Sequence, residues 1–406
     1  MKSWKQVFAI IWAGQFMSIL SSTTVNFAII LWLSIKTGSA EILAYTAFSA
    51  LLPQVILGPV VGVYVDRWNR KLVMILADSF IAACTLILSV LFWLDIAEMW
   101  HIFILLALRS VGSSFHMPAM EASVPLLAPK EQLTRVAGIN QIIISVGNIA
   151  GPALGAFFIT IWDIEYVLLL DVGGAFIACT SLLFVHIPDP EKIQDKVENV
   201  LQEMKEGLTI VLKNRGLSWV FLYSIFGNLF IMPVSVIFPL MTLQYFGGDK
   251  FQVSLIEILW GVGALVGGII MGIKVYNINR IILHNFMYIV LGLTFVFSGL
   301  LSPAGFVWFA VLTTLGGVSG SIFNTIFISI VQVNIDPAAL GRVFSMYFTV
   351  GLVPTLIGLL GVGYIADNIG LTATFISCGT MLVLLGVLLF FNPSAIRLDS
   401  RKREDK

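Results

Sequence analysis

Long and nearly continuous apolar stretches alternate with short polar segments along the whole chain. Twelve of them lie at approximately 7–34, 42–65, 72–94, 99–121, 136–160, 164–186, 216–243, 252–274, 281–300, 304–332, 342–364 and 370–391. A helix needs about 20 apolar residues to cross a hydrocarbon core of about 30 Å, whereas a membrane strand shows alternation over about ten residues. The stretches have helical length and lack that alternation, so the pattern predicts an all-α polytopic membrane protein with twelve transmembrane helices.

One charged segment divides the stretches into two sets of six. It predicts an N-terminal six-helix bundle at 1–186, a cytoplasmic linker at 187–215, a C-terminal six-helix bundle at 216–392 and a cytoplasmic tail at 393–406. Within the linker, Val200, Met204 and Leu208 recur at helical spacing among charged residues. This spacing predicts an amphipathic helix that lies on the membrane surface.

Composition and charge agree with a membrane protein. Hydrophobic residues form 58% of the chain and charged residues only 11%, unlike a soluble domain. Of the 23 Lys and Arg, only Lys36 and Lys250 fall on the outer side of the predicted membrane, and Arg109 falls within a stretch. The positive-inside rule therefore predicts that both termini are cytoplasmic. Because membrane topology explains the positions of the basic residues, these residues give no reason to expect a nucleic acid partner.

The two halves repeat at equivalent points. A shift of 210 residues lays Gly62 and Arg70 on Gly272 and Arg280. A shift of 207 residues lays Ser114, Leu133, Arg135 and Val136 on Ser321, Leu340, Arg342 and Val343. Parallel repeats of this kind place a substrate site between the halves, near the middle of the membrane.

The loop between the second and third stretches carries a family resemblance. It reads Gly62-Val-Tyr-Val-Asp66-Arg67-Trp-Asn69-Arg70-Lys71. This resembles the signature G-x-x-x-D-R-x-G-R-K of the major facilitator superfamily, with asparagine at the usual glycine position. The resemblance implies the major facilitator fold, two pseudo-symmetric six-helix bundles, and a gating latch formed by Asp66, Arg67, Arg70 and Lys71. The alternative is a basic loop that only obeys the positive-inside rule. We expect Asp78, near the cytoplasmic end of the third stretch, to pair with this loop.

The fifth stretch is similar to the antiporter motif of the superfamily, G-x8-G-x3-G-P-x2-G. The matching residues are Gly138, Gly147, Gly151, Pro152 and Gly155. Proline kinks a helix, and small residues spaced by four let another helix approach closely. The resemblance implies a gating role in drug and proton exchange and a contact between the fifth and eighth stretches. A generic packing seam is the alternative.

Three charged residues lie deep within stretches. Arg109 falls near the midplane of the fourth stretch, and Asp171 and Glu257 fall in the sixth and eighth. A charge at a helix centre costs about 2.5–3.5 kcal/mol on insertion scales, so such residues face a cavity or a partner. We interpret all three as candidates for proton coupling and prefer Glu257, which precedes a series of glycines. A structural ion pair of Arg109 and a helix-packing role of Asp171 remain alternatives.

Polar and aromatic residues inside the stretches suit a bulky amphiphile. The candidate substrate contacts are Gln15, Asn26, Phe27, His116, Asn140, Tyr223, Asn228, Trp260, Asn324 and Tyr347. Hydrogen bonds between helices explain many of the polar residues equally well. A packed histidine is the alternative for His116.

Catalytic and metal motifs are absent from the sequence. It has no Walker loop, G-x-S-x-G elbow or HExxH pair, and its three cysteines are scattered through the stretches. We therefore expect no enzyme activity, no cofactor and no metal.

Several short segments resemble one branch of the superfamily. They include Lys36-Thr-Gly-Ser39, Arg109-Ser-Val-Gly112 and Leu340-Gly-Arg342-Val-Phe344-Ser345, which look like the bacterial macrolide-efflux branch. The resemblance implies proton-coupled efflux of an amphiphilic drug, a macrolide, by alternating access from a monomer in the lipid of a bacterial plasma membrane. A facilitator or exporter of another small metabolite, and a non-transporting membrane scaffold or sensor, remain alternatives.

Overall fold

The computed structural model describes residues 4–127, 133–185, 187, 200–273, 278–335 and 339–404. These residues form helices and short connections, with no strand among them. The helices are α1 (Trp4–Thr37), α2 (Ala40–Arg67), α3 (Arg70–Trp93), α4 (Met99–Leu127), α5 (Leu133–Ile161), α6 (Ile164–Leu183), α7 (Val200–Lys213), α8 (Arg215–Leu240), α9 (Lys250–Ile273), α10 (Arg280–Leu300), α11 (Phe306–Asn334), α12 (Leu340–Ile369), α13 (Leu371–Phe390) and α14 (Pro393–Glu404).

The twelve predicted spans each correspond to one helix, namely α1–α6 and α8–α13. Eleven helices of the described part are long and apolar enough to cross a membrane, and α5 contains a shorter apolar helix at Val146–Ile161. The all-α prediction is therefore confirmed. The first helix of the second half, α8, continues through a π-helical turn at Met241–Tyr245, so it ends slightly later than its apolar stretch indicated.

The chain divides into two compact units. Unit 1 comprises Met1–Lys36 and Thr46–Val197, and unit 2 comprises Thr37–Tyr45 and Glu198–Lys406. The start of α2 thus packs with unit 2, although its sequence belongs to the first set of spans. The domain boundaries predicted from the charged segment stay a prediction.

Unit 1 is built around α3, which packs against both α4 and α6. Its apolar core includes Ile11, Trp12, Met74 and Leu182, all nearly inaccessible to solvent. Unit 2 repeats this arrangement, because α10 packs against α11 and α13. One end of its core is aromatic, where Phe238 stacks on Phe309 with ring centroids 5.6 Å apart.

The repeat extends to the start of the two central helices. Asn69 and Asn279, which are 210 residues apart, precede α3 and α10 with φ near −60° in both cases. The Asn69 side chain accepts a hydrogen bond from the Leu72 backbone N–H, and the Asn279 side chain accepts one from the Ile282 N–H. Asparagine is among the best N-cap residues. The asparagine that departs from the loop signature therefore begins α3.

Two helices outside the spans complete unit 2. The predicted amphipathic linker helix is present as α7, which buries Val211 and exposes Leu208 and Leu212. The rest of the predicted linker, at 188–199, lies outside the described residues. The predicted tail contains α14, which packs against α8 and α10.

Candidate functional site

The midplane charge of unit 1 has a charged partner. Arg109 on α4 forms an ion pair with Asp171 on α6, with 2.8 Å between Nη2 and Oδ2. The other terminal nitrogen, Nη1, donates a hydrogen bond to Asn26 Oδ1 at 2.9 Å. Both members of the pair are almost completely buried, with side-chain exposures of 5% and 1%.

Asp171 is satisfied at both carboxylate oxygens. Ser22 donates to Oδ1 at 2.5 Å, and Thr85 donates to Oδ2 at 2.7 Å beside Arg109. Four helices therefore meet at one buried pair: α1, α3, α4 and α6. A cation and two hydroxyl donors together satisfy the buried carboxylate, which avoids the cost of leaving it without partners. The pair is thus a structural link between these helices, and the proton-coupling role of Arg109 and Asp171 stays a prediction.

A second polar centre of unit 1 surrounds Asp78. The carboxylate accepts hydrogen bonds from Ser18 Oγ at 3.1 Å and from Gln15 Nε2 at 3.4 Å. The Nε2 atom of His116 lies 3.4 Å from Asp78 Oδ1, without hydrogen-bond geometry. Within the described residues, Asp78 thus contacts α1 and α4 instead of the basic loop. The expected pairing with that loop is not seen there, because the side chain points into the bundle.

Unit 2 holds a carboxyl group that, unlike Asp171, has no charged partner among the described residues. Glu257 on α9 has no ion-pair or hydrogen-bond partner among the described residues. It lines a cavity of about 60 Å³ together with Ile231, Ser235, Phe238, Ile256, Trp260, Phe295 and Thr313. Only two of those neighbours carry a hydroxyl, and none is a cation. An unpaired carboxylate in such apolar surroundings is costly, and the neutral protonated form avoids that cost.

The two acids therefore differ in chemistry. Asp171 is bonded to a cation at a fixed geometry, whereas Glu257 borders a cavity with no counter-charge among the described residues. A group that must gain and lose a proton in each cycle needs to be stable in both forms as its surroundings change. Glu257 fits this requirement better than Asp171 does.

The predicted substrate contacts fall into three groups in the structure. Gln15, Phe27, His116 and Tyr347 are buried within their own units. Asn140, Tyr223, Asn228 and Trp260 are partly exposed, and Asn26 and Asn324 are exposed. Asn140 accepts a hydrogen bond from the Trp12 indole N–H. The buried residues pack inside their own units, and a role in substrate contact stays a prediction for all ten residues.

The predicted gating loop is only partly described. Lys71 Nζ donates to the Val185 carbonyl at 2.7 Å, which ties the start of α3 to the end of α6. Arg70 is partly buried. The side chains of Asp66 and Arg67 lie outside the described residues, so their part in a latch stays a prediction.

The glycine stripe of α5 packs against α1. A Cβ atom at Gly151 would lie 2.7 Å from Thr23 Cβ, and one at Gly155 would lie 2.6 Å from the Thr24 carbonyl oxygen. Gly147 faces Ile19 in the same way, and Pro152 follows within the helix. The surroundings of Gly138 are outside the described residues. The stripe thus forms a close seam within unit 1, and the implied contact of α5 with the eighth span stays a prediction.

Sequence reasoning missed several polar residues that the fold brings into use. Ser22 and Thr85 complete the site of Asp171. Asp367 near the end of α12 accepts hydrogen bonds from the Ala40 and Glu41 backbone N–H groups, at 2.8 and 3.0 Å, at the start of α2. Isolated hydroxyls in apolar stretches give no sequence signal, and Asp367 lies just beyond the predicted eleventh span.

Comparison with known proteins decides the family. The Major Facilitator Superfamily model matches residues 11–358 and 231–406. The chain belongs to the major facilitator superfamily. It is accordingly a multi-pass membrane transporter for small molecules, and not an enzyme. Within the described residues, no group of His, Cys, Asp and Glu has the arrangement of a metal site.

Relatives and a solved structure extend this result. The chain is 35% identical to Macrolide efflux protein A of Streptococcus pyogenes over 95% of this chain and 96% of that protein. It is also 35% identical to Macrolide efflux protein A of Enterococcus faecalis, over 79% of this chain and all of that protein. The crystal structure of a POT family transporter in complex with a thioalcohol-conjugated peptide has the same fold. Its TM-score is 0.73 at 13% identity, over 96% of both chains.

Proposed function

We propose that this transporter exports a macrolide or a similar amphiphilic drug in exchange for protons. The observation that carries the proposal is Glu257, an acid without a described partner at the edge of a cavity lined mainly by apolar and aromatic side chains. The cargo is inferred from relatives that are named for macrolide efflux, of which the one from Streptococcus pyogenes matches 95% of this chain.

The proton reaches Glu257 in the outward-open state and leaves it in the inward-open state. In apolar surroundings the protonated carboxyl is favoured, and entry of water from the cytoplasm favours ionisation. Proton release therefore accompanies the state that takes up drug from the cell. Alternating access in this form couples drug export to proton entry.

Arg109 and Asp171 act as a positioning pair in this scheme. The pair holds α4 and α6 together with α1 and α3 at the middle of unit 1. Exposed or partly exposed residues such as Asn26, Asn140, Trp260 and Asn324 contact the drug as the two halves rock. The basic loop at 66–71 and the glycine seam of α5 act as gates. The transporter works as a monomer in the bacterial plasma membrane, with both termini in the cytoplasm.

Accumulation of labelled erythromycin in bacteria that express the chain tests the proposal. Cells with the transporter should accumulate less drug than control cells, and a protonophore should remove the difference. Unchanged export in the presence of the protonophore would contradict proton coupling. No export of erythromycin, with export of another metabolite, would support the alternative cargo.

A further inference from the structure

A polar cleft lies at one end of unit 2, away from the cavity of Glu257. Its volume is about 530 Å³, in the range of sites that hold small molecules. The cleft forms where the α7–α8 junction, the end of α11 and the start of α14 meet. Its described lining residues are Lys213, Asn214, Arg215, Gly216, Asn334, Pro393, Ser394, Arg397 and Leu398.

The charged residues that line this cleft are all basic. Lys213, Arg215 and Arg397 are cationic, and no acid is among the described residues that line it. Lys213 and Arg215 are exposed and form no ion pair with a described carboxylate. Ser394 and Asn334 add a hydroxyl and an amide. The two exposed cations Lys213 and Arg215, with these polar neighbours, are suited to an anion that has several oxygen atoms, such as a phosphate group.

The helix that supplies Arg397 is fixed in place. Gly216 at the start of α8 lets the Ser394 backbone approach so closely that a Cβ atom there would clash with the Ser394 carbonyl oxygen. Ala395 is completely buried, and Asn279 Nδ2 donates to the Ile396 carbonyl at 3.2 Å. The cleft is therefore part of the packed unit, and it does not depend on a loose tail.

Two exposed apolar residues are close in the sequence to residues that line the cleft. Leu212, which precedes Lys213, is 63% exposed, and Phe391, two residues before Pro393, is 78% exposed. In the predicted orientation this end of α8 and α13 lies at the cytoplasmic surface of the membrane. Aromatic and aliphatic side chains at that level contact acyl chains, while neighbouring cations reach the phosphates. We propose that the cleft binds the headgroup of an anionic phospholipid.

The two exposed apolar residues favour a lipid over a free phosphate ion. Free phosphate would use the cations but would gain nothing from Leu212 and Phe391, whereas a phospholipid contacts both. Cations at the cytoplasmic surface attract anionic lipids, and basic pockets between membrane helices bind their headgroups. With the contribution typical of one surface cation, loss of two should weaken binding about 30-fold.

Native mass spectrometry of the full-length transporter with phosphatidylglycerol or phosphatidylcholine tests this site. The wild type should retain phosphatidylglycerol in preference to phosphatidylcholine. The double variant Lys213→Gln/Arg215→Gln should lose about 30-fold of that preference. The matched control Lys5→Gln/Lys205→Gln removes two exposed cations of the same predicted face and should bind like the wild type. Transport of erythromycin is not the readout, so the result stands apart from the proposed function.

Two results of the mass-spectrometry experiment would overturn the proposal. One is equal retention of phosphatidylglycerol by the wild type and the Lys213→Gln/Arg215→Gln variant. The other is displacement of the lipid by inorganic phosphate at equal concentration, which would make the cleft a site for a free anion. If the variant does not fold, a salt titration of lipid binding by the wild type tests the site instead. Binding should weaken as salt screens the exposed cations, and salt-independent retention would contradict a site built on these charges.

Discussion

Replacement of Glu257 by glutamine should separate drug binding from proton coupling. The change removes the ionisable oxygen but nearly keeps the size and shape of the side chain. Because Glu257 has no described ion-pair or hydrogen-bond partner, the substitution breaks no described contact. We therefore expect Glu257→Gln to fold, to insert and to bind drug, and to lose transport against a gradient.

The expected size of the effect is worked out for the proposed exchange, with one proton per cycle at one acid. A difference of two pH units across a membrane without electrical potential corresponds to about 2.7 kcal/mol for one proton. Since about 1.4 kcal/mol changes an equilibrium ratio tenfold, one proton can sustain a drug ratio of about 100. Without the exchangeable proton the ratio should fall to about one.

Reconstituted vesicles with an imposed pH difference and a clamped potential provide the assay. Labelled erythromycin should accumulate up to about 100-fold with the wild type and should only equilibrate with Glu257→Gln. The matched change Glu98→Gln, at an exposed acid between α3 and α4, should leave accumulation unchanged. Full uphill accumulation by Glu257→Gln would refute the role of this residue. Loss of drug binding in the same variant would assign the residue to the substrate site instead.

Three further substitutions test the positions of polar and small residues. Asp171→Asn leaves the buried Arg109 without its counter-charge and should lower the free energy of unfolding by about 3–5 kcal/mol. Thermal unfolding in detergent measures the change, and an unchanged midpoint temperature would contradict a buried ion pair. Gly151→Ala places a methyl group 2.7 Å from Thr23 Cβ and should lower the free energy of unfolding by about 1–3 kcal/mol and slow transport. The control Gly173→Ala, with open space around the residue, should leave stability unchanged or raise it. Equal effects of the two substitutions would contradict a close α1–α5 seam. Asp367→Ala removes the acceptor for two N–H groups at the start of α2 and should cost about 0.5–2 kcal/mol. Asp163→Ala, at an N-cap without a side-chain hydrogen bond, should lower the stability less. A larger loss of stability from Asp163→Ala than from Asp367→Ala would contradict the capping role of Asp367.

The helices of this protein could be predicted because membrane burial leaves few options. Each span needs a long apolar run with its backbone hydrogen bonds satisfied internally, so the runs themselves mark α1–α6 and α8–α13. The repeat was also readable, and the caps at Asn69 and Asn279 show its effect on local structure. The asparagine in the loop signature looked like a departure from the family, but it has a physical role as the N-cap of α3.

The partners of the buried charges could not be read in the same way. Arg109 and Asp171 are 62 residues apart, and only the packing of α4 on α3 and of α3 on α6 brings them within 2.8 Å. The position of Asp78 predicts a pairing with the basic loop, but among the described residues its carboxylate accepts hydrogen bonds from Gln15 and Ser18. Spacing places a residue along a helix, whereas neighbouring helices decide what that residue contacts.

The glycines illustrate the same limit. Their spacing on α5 predicted a face for close approach, and the close approach is present. The helix that occupies this face within unit 1 is α1, through Thr23 and Thr24, and sequence spacing alone does not identify it.

Proton movement caused by a macrolide is the most direct test of proton-coupled drug export. Everted membrane vesicles that contain the transporter would be acidified inside, and a pH-sensitive dye would follow the internal proton concentration as erythromycin is added. We predict that the drug dissipates the gradient in wild-type vesicles and has no effect with Glu257→Gln or in vesicles without the chain. Uptake of erythromycin by wild-type vesicles with no accompanying proton release would contradict proton-coupled export.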